Sequence, residues 1–173
     1  MIIRAEKSSD LAAIYELVKT AFLTAKVSNG KEQDFVNQLR AGGNYLPELA
    51  LVAEEEGKLV GHIMLTKMAV ATDSGALEGL LLAPISVVLE RRDQGIGAAL
   101  IRESLRLAKK MGFKAVFLVG DPEYYKRFGF WQADSFGIAH LPQNIPAPNV
   151  MAHELVEGAL RNVSEPLDFT WEQ

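Results

Sequence analysis

The sequence predicts a mixed α/β fold: a mostly antiparallel sheet that carries one parallel pair of strands and is flanked by helices. Three observations lead there. Two apolar, β-rich runs, residues 49–55 and 59–71, are separated only by Glu56-Gly57, and a third run, 77–88, follows the turn Asp73-Ser74-Gly75. Short strands joined by such turns read as an antiparallel meander. The third run leads into a helical pattern at 95–111 and then a buried-type strand, Ala115-Val116-Phe117-Leu118-Val119. A strand–helix–strand crossover of that length implies a parallel pair. Apolar residues also recur at helical spacing near the N-terminus, which adds the flanking layer.

Taken in order, residues 1–5 make a short strand. Ser8-Ser9-Asp10 offers a helix N-cap, and Leu11, Ile14, Val18, Ala21 and Phe22 then fall on one helical face. A second helix covers 32–40 and is stopped by Gly42-Gly43. The meander follows. In the helix at 95–111, Gly97, Ile101, Ser104, Leu105, Ala108 and Met111 form the packed side. Arg102, Arg106, Lys109 and Lys110 form the wet side, with cations toward the C-terminus where they complement the helix dipole. Gly120-Asp121-Pro122 ends the next strand, and a short helix at 123–128 is closed by Gly129. A proline-rich connection, 141–148, precedes a last strand at 149–155. The tail, 156–173, ends in Phe169 and Trp171 and docks either on the body or on a second subunit, which leaves a homodimer open. The expected organisation is a single domain over 1–173, with its core in 1–155.

Composition narrows the function classes. At 173 residues the chain can bury one proper core but not two comfortable ones. Its net charge is −4 and its basic residues are scattered, so nucleic acid is not an expected partner. It has no cysteine, which excludes disulfides and cysteine-based metal or nucleophile chemistry. The start, Met1-Ile2-Ile3-Arg4-Ala5-Glu6, is charged too early for a signal peptide. No apolar run approaches the roughly 20 residues of a membrane helix. A soluble cytoplasmic protein without a metal is the expectation.

Arg92-Asp93-Gln94-Gly95-Ile96-Gly97 lies between the apolar run 80–89 and the helix that starts with Ala98 in its first turn. The first N–H groups of a helix lack partners and sit at the positive end of its dipole, so they attract anions. Glycines let a phosphate approach the backbone, and Arg92 adds a fixed positive charge. Residues 92–98, namely Arg92, Asp93, Gln94, Gly95, Ile96, Gly97 and Ala98, are therefore expected to hold a pyrophosphate. Gly97-Ala98-Ala99 lacks the Lys-Ser/Thr of a P-loop, and the third glycine of a dinucleotide fingerprint is missing. Read alone, the segment is also compatible with a solvated glycine-rich turn.

Farther along, Tyr125-Lys126-Arg127-Phe128-Gly129-Phe130 follows the strand at 115–119. Arg-x-x-Gly-x-Gly and Tyr-x-x-x-Gly-Phe, in this order and one helix plus one strand apart, resemble the two signatures of the GNAT superfamily of N-acetyltransferases. The resemblance covers about residues 1–155 and implies a small single-domain member with acetyl-CoA as co-substrate. It further implies that the strands at 77–88 and 115–119 splay apart and admit the pantetheine arm. Backbone groups of Ile85, Ser86 and Val87 would then bond the arm, and an N–H near Val87 would face the oxyanion. Pro84, in that strand, reads either as a bulge or as the end of an ordinary strand.

Tyr125 holds the position beside the thioester sulfur. Thiols ionise near ~8.5 and tyrosine near ~10, so a tyrosine keeps its proton at neutral pH and can give it to a nascent thiolate. The alternative for Tyr125 is a core aromatic; Tyr124 beside it is assigned to packing or to the substrate side. For a base, Glu78 stands early in the strand flanking the acetyl group, yet a strand-edge carboxylate facing water needs no function. His62 sits in a hairpin strand, and His140 and His153 are no better placed. An α-amino group, with a pKa near ~8, needs less help than a lysine near ~10.4, so a dedicated base is not required. The expected acceptor is a primary amine of a small molecule or amino-acid derivative, selected by residues 24–46 and the last strands. Two other readings stay open: acetylation of a protein N-terminus or lysine, and a non-catalytic acyl-CoA-binding module.

Overall fold

In the computed structural model, residues 1–139, 141–164, 166, 167 and 169 are described. Seven strands stand in the order β1-β2-β3-β4-β5-β7-β6. They are β1 (Ile2–Ala5), β2 (Ala50–Glu55), β3 (Lys58–Thr72), β4 (Gly75–Val87), β5 (Ala115–Val119), β6 (Trp131–Gln132) and β7 (Val150–Glu154). Four α-helices accompany them: α1 (Leu11–Ala21), α2 (Glu32–Ala41), α3 (Ile96–Lys110) and α4 (Pro122–Tyr125). The chain divides into two compact units, Met1–Thr66 with Ala83–Leu107, and Lys67–Leu82 with the chain from Ala108 onward.

In the first unit, β1 pairs antiparallel with β2, and β2 with β3. The hairpin turn has φ of 50° at Glu56 and 76° at Gly57, the mirror-image geometry that matches the twist of paired strands. α1 does not start on a serine cap. Ser8–Asp10 form a 3-10 turn, and Asp10 turns its carboxylate backward to accept the Lys7 N–H at 2.7 Å and the Arg4 guanidinium at 2.7 Å. The stripe of α1 packs through Ile14 and Val18 onto Val36 of α2, Ala50 and Val52 of β2 and Met64 of β3. Each fully buried Ile, Val or Met side chain among them contributes about 1.5–3 kcal/mol. α2 ends at Gly42, which keeps an extended φ of −84° while its N–H reaches Leu39 O at 3.1 Å.

α3 lies against β3 at Gly61. A Cβ there would stand 2.9 Å from Leu100 Cδ1 and 3.0 Å from Ile96 Cγ2. Glycine lets the first turns of α3 come that close, which anchors the segment just before them. Of the expected packed face, Ile101, Ser104 and Ala108 are buried, but Met111 is 39 % exposed. The helix has already ended at Lys110, and Met111 belongs to the stop completed by Gly112 at φ 92°.

In the second unit, Gly79–Leu81 of β4 run parallel to Ala115–Phe117 of β5, and β7 pairs antiparallel with β5. Gly79 is paired in register. What glycine provides there is room, since a Cβ would lie 3.0 Å from Met68 O and 3.3 Å from the Phe117 ring. β6 adds two residues at the edge, Trp131 opposite Ala152 and Gln132 opposite Met151. The tail docks on its own unit: Val163 bridges to Thr72, Ser164 N–H donates to Ala71 O at 3.0 Å, and Leu167 and Phe169 are buried. Trp171 lies outside the described residues. Among the described residues no helix is long and apolar enough to cross a membrane.

Candidate active site

In the first unit, β4 runs through Pro84, after a cis Ala83–Pro84 bond, to Val87, so the proline lies inside the strand rather than at its end. Ile85 and Val87 are half-buried while Ser86 between them is buried, the alternation of a pleated strand. The Val88 N–H then donates to Val60 O at 3.0 Å, and a 3-10 turn, Leu89–Arg91, leads to the glycine segment.

That segment turns sharply. Asp93 has φ 59° and Gly95 φ 84°, and the Gly95 carbonyl accepts the first helical bond from Ala99 N–H at 3.0 Å. The amides of Ile96, Gly97 and Ala98 therefore precede any intrahelical acceptor. A left-handed turn feeding a helix N-terminus makes a concavity of N–H groups suited to an anion. A Cβ on Gly95 would meet nothing within 4 Å, so its left-handed φ, and not crowding, calls for glycine. These features fit a diphosphate.

The side chains of Arg91, Arg92 and Gln94 are engaged with the protein. Arg91 Nε donates to Gln94 Oε1 at 2.8 Å, and Gln94 Nε2 to Glu90 O at 3.2 Å. The Arg92 guanidinium, read from sequence as a charge beside the phosphates, donates to Thr24 Oγ1 at 2.9 Å and to Ala21 O at 2.6 Å. Nothing in the sequence links residues 68 positions apart, and Thr24 was not foreseen.

Tyr125 belongs to the second unit. Asp121 caps α4 by accepting the Glu123 N–H at 3.0 Å, Pro122 takes the first turn, and a 3-10 turn Lys126–Phe128 ends at Gly129 with φ 87°. A Cβ on Gly129 would sit 2.7 Å from the His153 ring, whose Nδ1 donates to Gly129 O at 2.7 Å. The Tyr125 ring is boxed by Tyr124 at 4.9 Å, Phe130 at 6.0 Å and Phe128 at 6.4 Å between centroids. Gly120 also lies against the ring, a closeness that its place as a strand stop in the sequence does not reveal. Burial first, then the charges of Tyr124 and Asp121, push the Tyr125 phenol above the usual tyrosine range. Among the described residues its hydroxyl has no hydrogen bond. The phenol is thus held protonated, with its proton uncommitted. Tyr124 packs, edge-on to Phe128 and under the Arg127 guanidinium at 4.6 Å.

Glu78 does not join Tyr125. Its side chain is exposed, and its carbonyl accepts the Lys114 N–H at 3.1 Å, just before β5 begins. Tyr125 stands against Gly120, just after β5 ends. Six residues of extended chain separate the two, roughly 20 Å. His62 is fully buried, with Nε2 3.1 Å from Glu6 Oε2. His140 lies outside the described residues.

The chain has recognisable relatives. The family described as an acetyltransferase (GNAT) domain matches residues 2–133. YhbS of Escherichia coli, named an uncharacterised N-acetyltransferase, is 29 % identical over 98 % of this chain and 96 % of its own length. YjhQ of Escherichia coli, described in the same words, is 38 % identical over 70 % of this chain, and the match spans 65 % of YjhQ. A GNAT family acetyltransferase from Brucella melitensis, solved with acetyl-CoA, superposes with a TM-score of 0.68 at 39 % identity, covering 75 % of this chain and 81 % of that one. YhbS solved with CoA superposes with a TM-score of 0.80 at 27 % identity, covering 97 % of this chain and 88 % of that one.

Proposed function

Because the chain belongs to the GNAT acetyltransferase family, we propose that it moves the acetyl group of acetyl-CoA to a primary amine of a small molecule or amino-acid derivative, by direct attack. The family match runs through residues of both units, which supports reading 1–155 as one acetyltransferase domain with a tail. The observation that carries the reading is Tyr125: a phenol kept protonated by burial, its ring lying against Gly120.

Acetyl-CoA supplies an activated thioester whose sulfur leaves as a thiolate. The amides of Ile96, Gly97 and Ala98 hold its diphosphate, with Gly95 making the left-handed turn that precedes them. Backbone groups of Ile85, Ser86 and Val87 line up the pantetheine arm, and the Val87 N–H faces the developing oxyanion. Tyr125 gives its proton to the departing sulfur. Glu78 takes no part. An acceptor with an α-amino group, neutral in a usable fraction near pH 7, reacts without a dedicated base.

Thiol release from acetyl-CoA over a panel of amines, amino-acid derivatives and peptides tests this. Release with small amines supports the proposal. Release only with peptides moves the acceptor to protein, and bound acetyl-CoA that no amine discharges would leave only the acyl-CoA-binding module.

A further inference from the structure

We propose that Arg92 is a positioning residue that couples the diphosphate turn to residues 22–31, so that a ligand on the turn is felt beyond the end of α1. The coupling rests on the reading of that turn given above.

Arg92 sits where the turn begins, next to Asp93 with its left-handed φ of 59°. Its side chain leaves the turn. Nη2 donates at 2.6 Å to the carbonyl of Ala21, the last residue of α1, and Nη1 at 2.9 Å to Thr24 Oγ1 in the following 3-10 turn, Phe22–Thr24. A helix ends with carbonyls that lack partners and with the negative pole of its dipole, so a cation there caps it. The planar fork of arginine serves two acceptors at once, which a lysine ammonium on its flexible stem does not reproduce.

Between Phe22, which packs on the core around α1, and residues 30–31, which α2 bonds, little else holds the segment. Residues 23–31 are exposed throughout, Leu23 at 75 % and Val27 at 89 %. Its other hydrogen bonds, among the described residues, are local: Phe22 N–H to Val18 O, Ala25 N–H to Phe22 O, Gly30 N–H to Ser28 Oγ, Lys31 N–H to Asn29 Oδ1, Asn29 N–H to Glu32 Oε1, and from α2 Gln33 Nε2 to Gly30 O and Phe35 N–H to Lys31 O. The bond from Arg92 to Thr24 spans 68 positions and ties the segment to the turn. Fixing the turn fixes the guanidinium, and the guanidinium holds Thr24. An anion seated on the amides at 96–98 therefore orders residues 22–31 without touching them.

Hydrogen exchange of peptides covering 22–31, with and without free coenzyme A, reads this directly. In the wild type, coenzyme A slows exchange there by about fivefold, the worth of one net hydrogen bond. Thr24→Val removes the acceptor at an exposed side chain outside the turn, and abolishes the slowing while coenzyme A affinity stays within about twofold. Arg92→Lys abolishes it as well. Slowing that persists in Thr24→Val, or its absence in a wild type that binds coenzyme A, overturns the coupling. Failure of the wild type to bind coenzyme A overturns the functional reading instead. The ligand-free proteins then decide the tether: Thr24→Val speeds exchange at 22–27 about fivefold if it exists, and equal rates refute it.

Discussion

Gly120 and Tyr125 share one space: the phenol ring occupies the volume that any side chain on residue 120 would fill. A Cβ at Gly120 would lie 2.9 Å from Tyr125 Cδ2 and closer still to Cε2. The glycine after β5 therefore sets where the phenol stands. Gly120→Ala should swing the ring aside and lower turnover at least about tenfold, while the added methyl costs about 1–3 kcal/mol of stability. Coenzyme A affinity should hardly change, since the amides at 96–98 are untouched. Thiol-release kinetics beside a thermal melt check both halves.

Tyr125→Phe removes the proton and keeps the ring among Tyr124, Phe128 and Phe130. Loss of a general acid typically costs 10²–10⁴ in rate, so kcat should drop about a hundredfold with acetyl-CoA affinity preserved. Burial raises the phenol above the ordinary value near ~10, so the wild type should show no loss of this acid below that pH. A kcat for the phenylalanine variant equal to the wild type would remove Tyr125 from the reaction.

Glu78→Gln should leave turnover within about twofold of wild type, because the exposed carboxylate and the phenol lie at opposite ends of β5. A large drop in kcat with an altered acid limb would restore Glu78 as a base.

Glu6 is held for stability. Its carboxylate accepts Arg40 Nε at 2.7 Å and Nη2 at 2.9 Å, Tyr45 OH at 2.8 Å, and pairs with His62 Nε2 at 3.1 Å. Burial pulls its pKa up, but hydrogen bonds from His62, Arg40 and Tyr45 prevail and bring it down to about 2. A pKa lowered on folding stabilises above the unfolded carboxylate value near ~4.3, and that stability is lost as pH falls toward about 2. Glu6→Gln should cost about 3–5 kcal/mol near neutrality by stranding Arg40, and should flatten the acid limb of the melting curve. Melts from pH 7 to pH 3 would show it.

Several features were legible because the backbone itself demands particular residues. Glu56-Gly57, Gly95 and Gly129 all mark turns with positive φ, and such turns leave a local signature in sequence. The apolar runs of β3, β4 and β5 were likewise long or pure enough to read. β6 was not, since two residues carry no periodicity. The separation of Glu78 from Tyr125 is not legible, because a strand pattern gives no distance to a helix beyond the next strand. Arg92 was read from its neighbours in the chain, whereas its partners, Ala21 and Thr24, come from a helix end far earlier. Tertiary partnerships of this kind leave no local trace.

The amide turn is the most exposed part of the account, and calorimetric titration of coenzyme A into wild type and Gly95→Val addresses it. Valine at a φ of 84° is strained, while the open space beside residue 95 spares the core. Binding by the wild type that weakens at least about tenfold in Gly95→Val, with a melt lowered by no more than a backbone strain of about 1–3 kcal/mol, is the predicted result. Equal affinity in the two proteins would contradict it.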